Sequence, residues 1–481
     1  MEMEELIEKI KSDTGNTTDM IFRKMIIDQK PLYLVYNEVL TSSDDINNFI
    51  LKNIAQVIDE KVNITTNLYD FFYNSLPGHN IAKVKDYPDL LNRIFNSYTI
   101  IITSPTEIFA IETKARLDRG ISEASSEQTL LGPKDAFTEN FNINLGLVRK
   151  RIKSSKLWFD TFLVGQQTKT KVGLCYMKNI AEEKTIKDVK KKLKDISIDG
   201  IIDSGYIKES LTSRGQQFFP TIMATERPDL ASMALLEGKI IIIVDNSPYI
   251  LILPCFFVDF FHTADDYYQK PINITFIRII RLLAFLIAIF VPAYYIAVTT
   301  HNHDALSLDL VVNFTAQRET VPFPALVEVL LMSITFEILR ESDARMPSTM
   351  GTAVSILGGL VLGDAAVSAG IVSPIMIIVV AISAISGLLF SSIEMISAIR
   401  WWRFFFLGFA TIFGIYGIFL GTIFLIIQLS SIKSFGKPYL APFAPFLKGQ
   451  QKDALIKSEN TGIKKRNPYL ASKNIIRGRQ S

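Results

Sequence analysis

The residues of this chain with the types and spacing to do chemistry are charged side chains set in apolar surroundings. Glu337, Arg340, Glu341 and Arg345 recur at intervals of three and four, so Glu337 can pair with Arg340 and Glu341 with Arg345 along one helix. Glu328 stands nine positions before Glu337, which at 100° per residue places it on the opposite side of that helix. Asp364 is the lone acid in a long apolar run, and such a carboxylate is a candidate functional group. Helical spacing gives it a stripe shared with Val354, Leu357, Val361 and Ser368, while Thr352, Gly359, Gly363 and Gly370 project to the other side. Several copies around an axis would make that stripe a lumen. Leu357 and Val361 would then form a constriction that closes by dewetting, and Asp364 with Ser368 would favour cations. Gly359 and Gly363 form a G-x-x-x-G pair that admits a close helix neighbour. The four-residue Glu/Arg set reads as a network coupling two parts of the molecule. The plainer alternatives are an amphipathic connector with solvated charges and a packed helix with Asp364 near lipid headgroups.

Catalytic apparatus is not expected. There is no phosphate-binding glycine loop and no nucleophile elbow. Cys175 and Cys255 lie in unrelated contexts and support neither a disulfide framework nor a metal site. His301, His303 and Asp304 could seed a metal site, yet they read more simply as polar loop residues. The sequence therefore predicts no enzyme, no cofactor and no bound metal.

The elements that position these side chains change character near Pro271. Before it the sequence is mixed and charged. After it Lys and Arg vanish from Leu282 to Gln317, from Met346 to Ile399 and from Phe404 to Ile432. Charge-free runs of about 20 residues are what a helix needs to cross a bilayer. The predicted fold is an α+β cytoplasmic domain, made of two weakly repeated α/β subdomains, fused to an α-helical polytopic membrane domain. Its expected divisions are 1–113 and 145–270 for the subdomains, 114–144 for a connector, 271–432 for the membrane domain and 433–481 for a basic tail.

Ile274 to Val298 is read as a span entered from the cytoplasmic side, because Arg278 and Arg281 open it. The helix from Pro324 to Arg345 is read as partly interfacial or re-entrant. Pro374 to Phe390 and Trp401 to Ile432 are each read as one span, with Trp401, Trp402 and Arg403 in an interfacial belt. Four crossings put the tail inside and five put it outside. The tail carries 11 Lys and Arg against Asp453 and Glu459, a bias that favours the inside and contact with anionic lipid. Net charge is only +3 and hydrophobic residues make up 48%, so no nucleic-acid partner is expected. The start, Met1 to Asp13, is acidic and amphipathic, unlike a signal peptide.

The subdomain repeat shows as an order of elements at an offset of about 140 residues. Leu32 to Tyr36 is strand-like, Asp45 to Glu60 is helical, and Tyr98 to Thr103 with Ile108 to Ile111 forms a hairpin. Val172 to Tyr176, Glu183 to Ile196, and Lys239 to Val244 with Tyr249 to Leu253 follow in the same order. A basic helix is expected to start at Arg149-Lys150-Arg151, and Asp229 to cap a helix from Leu230 to Leu236.

Taken as a set, particular residues resemble a known family. Gly132-Pro133, Phe137, Glu139, Asn144 and Arg149-Lys150-Arg151 come first, then Thr225-Glu226-Arg227-Pro228-Asp229 and the hairpin Gly238 to Pro254. Asp265-Asp266-Tyr267-Tyr268, Arg318-Glu319 and Val321-Pro322-Phe323-Pro324 follow, then Glu328, Leu331-Met332 and Glu337-Ile338-Leu339-Arg340-Glu341. Arg345-Met346-Pro347, Gly358-Gly359, Gly363 and Phe435-Gly436-Lys437-Pro438-Tyr439 complete the set. From about Arg116 to Tyr439 the chain is similar to the A subunit of the GerA family of spore germinant receptors. The resemblance implies a spore inner-membrane protein with a cytoplasmic amino-terminal domain. Its implied partners are a permease-like B subunit that binds the nutrient, a lipoprotein C subunit, membrane lipid and further copies of itself. The implied activity is that of a nutrient-gated ion channel. Asp364, and Ser342-Asp343-Ala344 after the Arg-Glu pair, depart from the usual pattern. Two other readings stand beside it: an accessory membrane protein of the spore dipicolinate-release machinery with the same fold, and a lone secondary transporter. The transporter predicts inverted repeats in the membrane half, and none is found.

Overall fold

The structure is a computed structural model that describes residues 3–27, 30–59, 68–76, 80–115, 127, 129, 131–212, 218–345, 361–447, 451–458, 465–471 and 474–477. The chain divides into two compact units. One comprises Met1–Arg214, Ile222–Cys255 and Asn460–Ser481, the other Gly215–Thr221 and Phe256–Glu459.

The first unit holds two sheets of five strands each. Strands β1 (Met20–Ile27), β2 (Lys30–Asn37), β3 (Ile81–Lys83), β4 (Tyr98–Ser104) and β5 (Glu107–Glu112) take the order β1-β2-β4-β5-β3. Strands β6 (Leu157–Val164), β7 (Thr170–Met177), β8 (Met223–Thr225), β9 (Ile240–Val244) and β10 (Ile250–Leu253) take the order β6-β7-β9-β10-β8. The two orders are the same permutation, and all paired strands are antiparallel. The structure thus contains the repeat. Every residue of β9 and β10 is buried, which suits central strands and explains their unbroken Ile, Leu and Val. The edge strands carry the polar residues: Arg23 and Lys24 are exposed on β1.

Helices α1 (Met3–Thr14), α2 (Lys52–Asp59), α3 (Leu68–Ser75) and α4 (Tyr87–Ile94) belong to the first subdomain, and α5 (Phe141–Arg151), α6 (Glu183–Lys194), α7 (Ser204–Leu211) and α8 (Pro228–Glu237) to the second. Two expectations are corrected here. Arg149-Lys150-Arg151 ends α5, whose first turn is capped by the Asn140 side chain on the amides of Asn142 and Ile143. Cations suit the last turn, where unpaired carbonyls gather. Helix α8 begins at Pro228, two residues before the expected start, and Asp229, inside its first turn, both accepts a 2.9 Å bond from the Leu230 amide and pairs with Arg227.

The second unit is helical and apolar: α9 (Pro271–Thr300), α10 (Leu308–Arg318), α11 (Ala325–Arg345), α12 (Leu362–Ser368), α13 (Pro374–Gly387) and α14 (Ile393–Ser431). Among the described residues, α9 and α14 are long and apolar enough to cross a membrane. At 39 residues, α14 would measure about 58 Å if straight, nearly twice a bilayer core of roughly 30 Å. It is not straight. Gly414 has φ +59° and ψ −139°, a conformation open to glycine, and the chain reverses there. Phe405 and Phe424 would lie about 28 Å apart on a straight helix, yet their ring centroids are 6.3 Å apart. Phe409 meets Phe424 at 5.9 Å, and a Cβ on Gly421 would lie 2.7 Å from the Phe406 ring. The expected single span from Trp401 to Ile432 is therefore a hairpin of two antiparallel helices, 393–413 and 415–431, of about 30 Å and about 25 Å. At its seam Gly417 lets the backbone approach that of Phe409, and Gly421 makes room for the Phe406 ring.

Candidate functional site

Polar and charged side chains of the helical unit that bear on the expected site lie at three places. The first is the turn of the hairpin. Breaking a helix at Gly414 leaves the amides of the next helix without partners. Asn302, just past the end of α9, accepts a 3.0 Å hydrogen bond from the Ile415 amide, and the His301 ring is 2.7 Å from the Thr411 carbonyl oxygen. The loop residues read as polar filler thus hold the hairpin turn. Among the described residues there is no group of three side chains suited to a metal ion.

The second place is the foot of α13. Glu328 is fully buried, and its Oε2 accepts from the Ser373 amide at 3.0 Å and the Ser373 hydroxyl at 3.1 Å. Its other oxygen lies 3.4 Å from Arg318 Nε. A carboxylate is stabilised at a helix start, because Ser373 immediately precedes α13 and the helix dipole is positive there. The core of Tyr295, Ile296, Val329, Met376 and Leu407 surrounds this point. A cleft of about 490 Å³ opens beside Arg318, lined also by Thr299, His303, Phe314 and Glu319.

The third place contains part of the expected coupling network. Glu337 pairs with Arg340 at 2.5 Å and with Arg400 of α14 at 3.2 Å. Arg403, one turn further along α14, is buried and within electrostatic reach of both Glu337 and Arg340. Glu341 and Arg345 do not join. They pair with each other at 2.6 Å with side chains 66% and 78% exposed. The opposite-face geometry explains part of this division, since Glu328 and Glu337 each serve a separate cluster. Arg400 and Arg403 were missed as members of the cluster because they are more than 60 positions away in the chain; their i, i+3 spacing beside two Trp residues was the available signal.

Of the expected pore stripe, Leu357 lies outside the described residues, as does Gly359 of the packing pair. Val361, Asp364 and Ser368 are exposed, with Val361 leading into α12. Gly363 is buried, and among the described residues a Cβ added there would meet only Ile377, at 3.9 Å.

A further buried network ties the later chain to α9. Asp266 accepts from Arg278 Nε at 2.9 Å and from Arg281 Nη1 at 3.0 Å. Arg278 also donates to the Asp453 carbonyl at 2.8 Å. In the first unit Arg149 donates to Asp19 at 2.9 Å across 130 positions, with both side chains 1% exposed. Burial alone would raise the Asp19 carboxyl, but Arg149, Asn37 and Thr17 together hold it below its ordinary value. Arg227 binds the connector through Thr129 Oγ1 and the Pro133 carbonyl, each at 2.9 Å. Glu127, also in the connector, accepts from the Thr225 hydroxyl, and burial pushes its carboxyl up.

Two repeated α/β subdomains followed by an apolar helical unit with two helices long enough to span a bilayer define the class of architecture. Residues 8–469 match the family described as Bacillus/Clostridium GerA spore germination protein, and the chain belongs to that family. Its relatives include spore germination protein KA of Bacillus subtilis, 37% identical over 98% of this chain and 87% of that protein. The uncharacterized membrane protein YfkQ of the same organism is 34% identical over 95% of this chain and 89% of its own length. A solved structure, the N-terminal domain of the A subunit of the Bacillus megaterium spore germinant receptor GerK3, is 30% identical; the match covers 53% of this chain and 95% of that one at a TM-score of 0.43. The chain is a GerA-family A subunit, a membrane protein of a non-enzymatic family concerned with spore germination.

Proposed function

We propose that this A subunit acts in the spore inner membrane with a permease-like B subunit and a lipoprotein C subunit, and that copies of it assemble into a nutrient-gated cation channel. The stripe of Leu357, Val361, Asp364 and Ser368 lines the path, and Gly359 with Gly363 packs neighbouring copies. The observation that carries this reading is the exposure of Asp364 and Val361 on an apolar unit. A carboxylate facing lipid is costly, so a partner helix or water must cover it. A ring of such stripes does both. The first unit and the basic tail are placed in the cytoplasm. This is supported by the Arg278 bond to Asp453 and by the Gly414 hairpin, which together bring the chain back to the side where α9 begins.

Conductance of the purified complex in liposomes, with and without nutrient, tests the proposal. Val361→Ala should leak ions without nutrient, because a smaller side chain weakens a dewetting gate. Asp364→Asn should keep gating but reduce cation flux. Leu362→Ala, about 100° away on the helix, should do neither. Indistinguishable Val361 and Leu362 variants, or unchanged flux in Asp364→Asn, would rule out this pore face.

A further inference from the structure

We propose that the cluster of Arg340, Arg400 and Arg403 is a binding site for a phosphate anion, carried by an anionic lipid headgroup. Two of these three guanidinium groups share one carboxylate, and the third has none. Glu337 gives one oxygen to Arg340 and the other to Arg400, which leaves the cluster with two positive charges in excess. Arg403 is the least satisfied member. It is 4% exposed, its Nε has no partner, and among the described residues it makes neither a hydrogen bond nor an ion pair. Arg403 follows Arg400 by three positions on α14, which puts both on one side of that helix, the side that meets Glu337. A guanidinium withdrawn from water without a counter-ion is strongly disfavoured, and a fixed anion is the remedy.

The chemistry favours phosphate. Guanidinium forks bind phosphate oxygens two at a time, and two neighbouring helices supply three of them here. The surroundings favour a lipid source. Trp401 lies between Arg400 and Trp402 and is 59% exposed, as expected of a side chain at headgroup level. Ile334 and Ile338 on α11 flank Glu337 and are exposed, providing an apolar surface for acyl chains. Basic pockets between membrane helices hold anionic headgroups in this way.

Full-length protein purified in detergent is incubated with phosphatidylglycerol and phosphatidylcholine in equal amounts, and retained lipid is measured by mass spectrometry. Wild type should retain phosphatidylglycerol selectively, and Arg403→Gln should lower that preference by about fivefold, the effect of one basic residue near a headgroup. Arg345→Gln removes the same charge from an exposed pair and should change nothing. If Arg403→Gln does not fold, the half-exposed Arg400→Gln carries the test. Displacement of lipid by millimolar inorganic phosphate supports the phosphate site while assigning it to the free anion. Equal retention of both lipids by wild type overturns the proposal. So does equal loss in the Arg403 and Arg345 variants, or protection of Arg403 by a partner subunit with no lipid held, which would assign the site to a partner's carboxylate.

Discussion

Replacing Gly414 with alanine should undo the hairpin in α14. A non-glycine residue at φ +59° and ψ −139° costs about 1–3 kcal/mol in backbone strain. The new methyl would also collide with Asn302 Oδ1 and come within 2.8 Å of the His301 Cβ. Moving Asn302 aside sacrifices its bond to the Ile415 amide, worth about 1 kcal/mol. The sum is about 3 kcal/mol, roughly a hundredfold in an equilibrium between turned and unturned states. Gly408 is the control, because an added Cβ there has no atom within 4 Å. Gly408→Ala should be neutral or stabilise by up to about 1 kcal/mol through helix propensity. The assay has two parts: melting of the purified protein, and labelling of single cysteines by an impermeant maleimide. Both native cysteines are buried, so the background is low. Ile272→Cys and Lys433→Cys mark the start of α9 and the end of α14, and both should label from the same side of the membrane. Labelling from opposite sides, or equal melting of the Gly414 and Gly408 variants, would refute the reversal.

Two further outcomes follow from buried charge. Asp19→Asn strands Arg149 and should cost about 3–5 kcal/mol of unfolding free energy near neutral pH, read by denaturant titration of the full chain. Because the folded Asp19 carboxyl lies below its unfolded value of about 3.9, its contribution is present above that pH. It is lost as pH falls through the folded value, so acid should narrow the gap between wild type and variant; a gap independent of pH would deny the carboxylate its role. Glu328→Ala removes both acceptor bonds from Ser373 and should cost about 2–3 kcal/mol, measured as lower thermal stability in detergent, while Glu341→Ala on the exposed pair should cost less than about 1 kcal/mol.

Composition alone exposed the division between a charged domain and an apolar one, because the bilayer imposes a length and a charge rule on local sequence. The repeat was legible in the central strands, whose Ile-rich runs are buried on both faces. The edge strands were not, since Arg23 and Lys24 interrupt the apolar pattern of β1 and β8 has only three residues. The Glu337–Arg340 pair was visible because helical spacing is local. Its contact with Arg400 and the pairing of Asp19 with Arg149 depend on tertiary folding across long separations, which no spacing rule encodes. The reversal at Gly414 was hidden for another reason. The run from Phe404 to Ile432 carries no charge, membrane helices tolerate glycine, and the turn has no polar loop to announce it.

The hairpin also bears on the order in which the chain is made. Its two arms turn without any intervening hydrophilic segment, so they can enter the bilayer together with no polar loop to carry across. The acceptor that completes the turn, the Asn302 side chain, was synthesised 113 residues before the amide it receives. The last helices therefore find their cap already waiting at the far end of the first. Until the end of α9 is in place the Ile415 amide has no acceptor, so the closing of the last turn waits on the first helix.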